Sequence, residues 1–224
     1  MTKKRHQELK NEFQELLRST NRDGVEDLLE YLERTDFYKA PASTEYVRAY
    51  PGGLMEHSLD VYHIMKEKLS PGASMAWDKV AALPYVTDDT IILVSLLHDL
   101  YKIGLFTVTS INRRNYSEEA VAKAAPYMVK MDGDRKFVWE TAKGYRYDDT
   151  LPFGEGEKSV ILAMRCVKLT DEEILAIRWH RGYDSDDRAQ KISAIFGSHP
   201  LALALYTSDM EASFIYNHED TPAS

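Results

Sequence analysis

The sequence predicts an all-α domain, a helical bundle with one short β-hairpin inserted. Three observations carry that prediction. Apolar residues recur at helical spacing through most of the chain. Capping residues, glycines and prolines punctuate those stretches. Only KFVWETAKGYRYDD, residues 136–149, alternates aromatic and polar residues as a strand does.

Residues 5–19 form the first predicted helix, with Leu9, Phe13, Leu16 and Leu17 on one stripe. A second runs over 25–34, and FYKAPAST then breaks the pattern. The third covers 53–69, after PGG and before SPGAS. The fourth covers 88–103. Thr87 caps it, Asp88 and Asp89 suit the positive end of its dipole, and Gly104 closes it. The stretch 105–155 is less regular, with helical character over 117–130 and a hairpin turning at Ala142-Lys143-Gly144. Arg113 and Arg114 read as loop. A helix over 157–168 follows. Thr170 and Glu173 have capping-box spacing and start a helix ending near Gly182. Pro200 opens the last helix, reaching Tyr216.

The chain of 224 residues is 44% hydrophobic and 29% charged, enough for one sizeable core and too rich in apolar residues for disorder. Its net charge of -8 argues against a binder of long duplex nucleic acid, although a local basic pocket stays open. Cys166 is the only cysteine, so no intrachain disulfide forms. MTKKRHQELKNEF has no apolar signal region, and no apolar run is long enough to cross a bilayer. These features predict a cytoplasmic protein without membrane association.

Four places put polar residues where apolar ones belong. On the helix over 53–69, His63 shares the polar stripe of Glu56, Asp60 and Glu67. His57 shares the apolar stripe of Leu54, Val61 and Ile64. His98 and Asp99 end the apolar run IILVSLL, with Lys102 on their side of the helix. His180 closes ILAIRWH, and Asp209 sits inside PLALALYTSDMEASF, a helix apolar nearly all round. Each has an ordinary structural explanation: a hydrogen-bonded core histidine, a helix cap, or an aspartate satisfied by Ser208 or Ser213. Together they offer three imidazoles and two carboxylates. One metal accounts for them all, where separate networks would each need partners. Such mixed N/O ligands suit Mn, Fe, Co, Ni or Zn better than Ca.

This ordered pattern resembles the HD-domain metal-dependent phosphohydrolases. APAST, AYPGGLMEHSLDVY, LLHDLYKIG, LPFGEGEKSV, LTDEEILAIRWH and SDMEASF carry the resemblance over 36–216, and look like a branch common in bacteria and their phages. It implies three parts: an N-terminal helical extension (1–35), an HD hydrolase domain (36–216) and a tail (217–224). The fold it implies is a helical bundle around a central metal site. His57, His98, Asp99 and Asp209 match the four core ligands, with Asp99 able to bridge two metals. His180 matches one of two further histidines of two-metal members. At the other, where relatives carry PFGHGEKS, this chain has Glu155. Glutamate ligates Mn, Fe or Mg, so the reading adopted keeps Glu155 as a ligand and allows one or two ions, with Mg at the second site. The alternative is a one-metal site with a free carboxylate beside the water.

The expected chemistry is hydrolysis of a phosphoester by metal-activated water. Asp99 and Lys102 are the expected catalytic residues, with Lys102 stabilising charge on the phosphate as in relatives. Arg113, Arg114, Arg178 and Arg181, with Tyr145, Tyr147 and Tyr183, suit a nucleotide or short single strand. Singly, each is as well explained as a solvated surface residue. The partner expected is thus a small phosphorylated, nucleotide-like substrate, with homo-oligomerisation left open. Two rivals remain: an HD-type di-iron oxygenase, which Glu155 disfavours, and a non-catalytic nucleotide-binding regulatory module.

Overall fold

The computed structural model describes residues 1–45, 47–182 and 189–215. The elements run α1 (Lys3–Ser19), α2 (Val25–Arg34), α3 (Gly53–Lys68), α4 (Met75–Ala81) and α5 (Asp88–Leu97). Next come a 3-10 turn (Leu100–Lys102), β1 (Phe106–Asn115), α6 (Glu118–Lys123), β2 (Lys130–Asp132) and β3 (Arg135–Tyr147). The chain continues with α7 (Glu155–Ala163), α8 (Asp171–Arg178), α9 (Ala189–Ser198) and α10 (Pro200–Phe214). Tyr183 and Tyr216 lie outside the described residues.

The all-α prediction is incorrect. The chain is mostly helical but carries a three-stranded antiparallel sheet in the order β1-β3-β2. KFVWETAKGYRY does not fold back on itself; it is one long strand passing straight through Ala142-Lys143-Gly144. Its partner is β1, in register from Phe106 opposite Tyr147 to Asn115 opposite Val138. Arg113 and Arg114 are therefore strand residues. Gly144 marks a close approach instead of a turn: a Cβ there would meet Ile111 Cδ1 at 2.4 Å. The helix predicted over 117–130 stops at Lys123, and α4 and α9 were not anticipated.

Two helix starts follow their capping signals. Thr87 Oγ1 accepts from the Thr90 amide at 3.2 Å to start α5. The Thr170–Glu173 capping box starts α8. From Thr90 to Leu97 every residue of α5 is buried, so this helix runs through the middle of the core. It packs against α3, α7 and α8, while α10 lies across α3 and α8. Leu9, Phe13 and Leu17 of α1 join the same core, where Phe13 meets Phe37 at 5.0 Å between ring centres. Among the described residues, no helix is long and apolar enough to cross a membrane.

Candidate metal centre

Helices α3 and α10, the break after α5 and the turn after α8 deliver the polar residues to a single place. His57 lies one turn into α3, whose start is fixed by tight packing. A Cβ on Gly53 would fall 2.1 Å from the Arg48 carbonyl oxygen, so the chain enters α3 only through a glycine. Arg48, in the left-handed region at φ 43, ion-pairs with Glu56 and Asp60 on either side of His57. His63 faces outward, with its Nε2 2.8 Å from Glu12 Oε1.

Helix α5 stops one residue before the His98-Asp99 pair instead of continuing to Ile103. Both side chains are buried, His98 at 0% and Asp99 at 2% exposure. Nδ1 of His98 lies 2.7 Å from the Ser95 carbonyl oxygen, and Nδ1 of His180 lies 2.7 Å from that of Ile177. A carbonyl only accepts, so each Nδ1 carries the proton and each Nε2 presents a lone pair. Those two Nε2 atoms are buried and have no hydrogen-bond partner among the described residues. Unpartnered buried acceptors aimed at carboxylates fit a cation between them.

His57, His98 and Asp99 form a group whose ligand atoms lie within 4.8 Å of one another, and this group could hold a metal ion. Asp99 Oδ2 is 3.6 Å from His57 Nε2 and 3.5 Å from His98 Nε2. Its other oxygen, Oδ1, is 3.5 Å from His180 Nε2. The carboxylate thus divides its oxygens between two sets of imidazoles. Asp209 Oδ1 accepts from His57 Nε2 at 2.9 Å and lies 4.0 Å from His98 Nε2. Ser208 Oγ makes no hydrogen bond among the described residues, so His57, and not that serine, is the partner of Asp209.

Neighbouring positive and imidazole groups keep the two carboxylates ionised despite their burial. Burial pushes the Asp99 carboxyl up, but Lys102, His98, His180 and His57 outweigh it and hold it well below the usual carboxylate range. Burial acts the same way on Asp209, and His57 and His98 reverse it. The His98 imidazole is pushed down to about 4, chiefly by burial, and is neutral near pH 7. Lys102 Nζ donates to Asp99 Oδ2 at 2.6 Å.

A cavity of about 330 Å³ opens onto this centre, with His57, Tyr101, Lys102, Arg181 and Asp209 in its wall. Ser43, Thr44, Phe106, Tyr147 and Phe214 also line it. Among these, Ser43 and Thr44 fall in APAST, a motif noticed without a role, and Tyr101 hid between Asp99 and Lys102. Burial holds the Tyr101 phenol well above its ordinary range, so it stays protonated.

Other predicted residues sit elsewhere. Glu155 Oε2 pairs with Arg181 Nε at 2.7 Å, and Glu155 is outside the three-residue group. Arg178 pairs with Glu157 and stacks on Trp179, 4.4 Å from its ring centre. Arg113 is seven residues along β1 from Phe106, about 23 Å from the cavity wall. It faces Glu140 at 3.8 Å, and Arg114 pairs with Asp132 at 2.5 Å. Tyr145 packs beside Phe106 without lining the cavity.

No family model, curated protein or solved structure matches this chain.

Proposed function

We propose that this chain is a metal-dependent hydrolase of phosphoester bonds in a nucleotide or short oligonucleotide. The observation that supports this reading most directly is the pair of buried Nε2 atoms of His98 and His180 beside Asp99, unpartnered among the described residues, next to a cavity whose wall holds His57 and Asp209. The ordered resemblance to HD-domain phosphohydrolases points the same way.

His57, His98 and Asp99, with Asp209 beside them, would hold a divalent transition metal: Mn, Fe, Co, Ni or Zn. Asp99 Oδ1 and His180 are the residues that would hold a second ion, with Mg also suited to it. A bound metal supplies Lewis acidity and a water of lowered pKa. The protein's own residues do the rest. Asp99, kept ionised by its neighbours, orients the site. Lys102 and Arg181, both in the cavity wall, receive the phosphoryl oxygens and balance their growing charge. Tyr101 offers a neutral hydroxyl, and Phe106 with Tyr147 gives a base a surface to stack on.

The test is elemental analysis of the purified chain, followed by assays of mononucleotides and bis(p-nitrophenyl) phosphate with each metal. Expected are bound transition metal and metal-dependent release of product, both lost in His98→Ala. A chain that binds none of these metals and hydrolyses neither substrate class would overturn the reading.

A further inference from the structure

The β1–β3 arm differs in charge from the rest of the chain. Residues 106–147 contain eight lysines and arginines against five acids, a net charge of +3, which leaves -11 on the remainder. Antiparallel register puts Phe106, Val108, Ser110, Asn112 and Arg114 of β1 on one face with Tyr147, Tyr145, Lys143, Thr141 and Trp139 of β3. That face is open: Val108 is 62% exposed, and Trp139 and Tyr147 are each 53% exposed.

Its inner end is part of the site, because Phe106 and Tyr147 line the cavity. From there, the face continues through Tyr145 and Lys143 to Trp139 and Arg114. Eight residues of β3 separate Tyr147 from Trp139, about 26 Å. Lys143 makes no ion pair among the described residues. Thr141 and Asn112 hydrogen-bond to each other at 2.9 Å at mid-face.

We infer that this face is a track for single-stranded nucleic acid, leading a strand into the cavity. Aromatic rings stack on bases of any sequence, and cations follow the phosphates. A duplex hides its base faces, so the rings favour an unpaired strand. An acidic or apolar protein partner would use the charge or the rings, but not both along a face continuous with a cavity that holds Lys102 and Arg181. That the strand ends at a hydrolytic centre rests on the function proposed above. Its occupancy of the track does not.

Binding of fluorescein-labelled 12-nucleotide single-stranded DNA and RNA by the full chain, measured by anisotropy, tests this against the matching duplex. Expected are single-strand binding that quenches Trp139 fluorescence, weaker duplex binding, and a loss of about tenfold or more in Trp139→Ala/Lys143→Glu. Arg146→Glu makes the same kind of charge change on the opposite face, where Arg146 pairs with Thr107, and should cost much less. The DNA and RNA arms tell which sugar is preferred. Equal losses in the two variants, or duplex binding as tight as single-strand binding, would overturn the track. So would a chain that binds no strand and sediments as a dimer that Trp139→Ala disperses. Hydrolysis of bis(p-nitrophenyl) phosphate separates the two claims. Strand binding without hydrolysis defeats the site and keeps the track, and hydrolysis without strand binding does the reverse.

Discussion

Two ion pairs of nearly equal length divide this molecule into its two regions. Lys102 meets Asp99 at 2.6 Å, with side chains 11% and 2% exposed. Arg114 meets Asp132 at 2.5 Å, with side chains 46% and 45% exposed. In the arm, water and salt share the charges, and the pair holds little together. In the core, Asp99 is closed off and Lys102 meets solvent only at the cavity wall, so removing one charge leaves the other largely buried without its partner. Distance therefore says little about what a pair is worth, while burial says a great deal. The same rule separates the two regions: the core concentrates charge beside one cavity, and the arm spreads it along an open face.

The largest effect should come from Asp99→Asn. It keeps the shape but leaves Lys102 a buried cation without its counter-ion, at a cost of about 3 kcal/mol or more in chemical denaturation. Metal content and hydrolysis should fall together. A variant as stable as the parent would mean that water reaches this pair.

Next in size is the acid sensitivity of the metal-stripped chain. Burial holds His98 at about 4 against an ordinary 6.5. Its folded pKa is depressed, so its contribution is complete above pH 6.5 and is lost as pH falls towards 4. At 1.36 kcal/mol per unit this amounts to about 3 kcal/mol. Asp99 and Asp209 are depressed too, but their contributions disappear only below the carboxylate range. Denaturation midpoints between pH 7 and 4 should therefore fall in the parent and much less in His98→Ala. Parallel curves would place the titrating group elsewhere.

Gly53→Ala should come third. The added Cβ meets the Arg48 carbonyl, so α3 must move at the turn that carries His57. A loss of about 1–3 kcal/mol is expected, with weaker metal retention. Normal retention would mean that the loop, and not the helix, gives way.

The core was readable from the sequence because burial leaves a periodic record. His57 falls on an apolar helical stripe and His63 on a polar one, and the two environments follow. The arm left no such record. Both faces of β1 and β3 meet solvent over much of their length, so polar and apolar residues are free to mix, and Lys143-Gly144 imitates a turn. The pairing partner of β3 lies some thirty residues away, and no local pattern names it. Likewise the Glu155–Arg181 pair joins α7 to the end of α8, a contact that neither segment announces alone.

That pair gives the fourth prediction. Glu155→Ala should leave the number of metal ions per chain unchanged, because its carboxylate is taken up by Arg181 at 2.7 Å. It should free Arg181 to attract phosphate, lowering KM more than it changes kcat. Loss of an ion on elemental analysis would put Glu155 among the ligands instead.

The smallest effect on stability should come from Asp132→Asn, the arm's counterpart to Asp99→Asn. Asp132 holds both Arg114 and the Tyr116 hydroxyl at 2.5 Å, contacts that would look decisive on distance alone. Each partner stays solvated when the charge goes, so thermal unfolding should be indistinguishable from the parent. Single-strand binding should tighten, because Arg114 loses its competing carboxylate on a face that already carries Lys143. A marked drop in melting temperature would show that the arm is bound together as the core is, and the division drawn from the two ion pairs would fail.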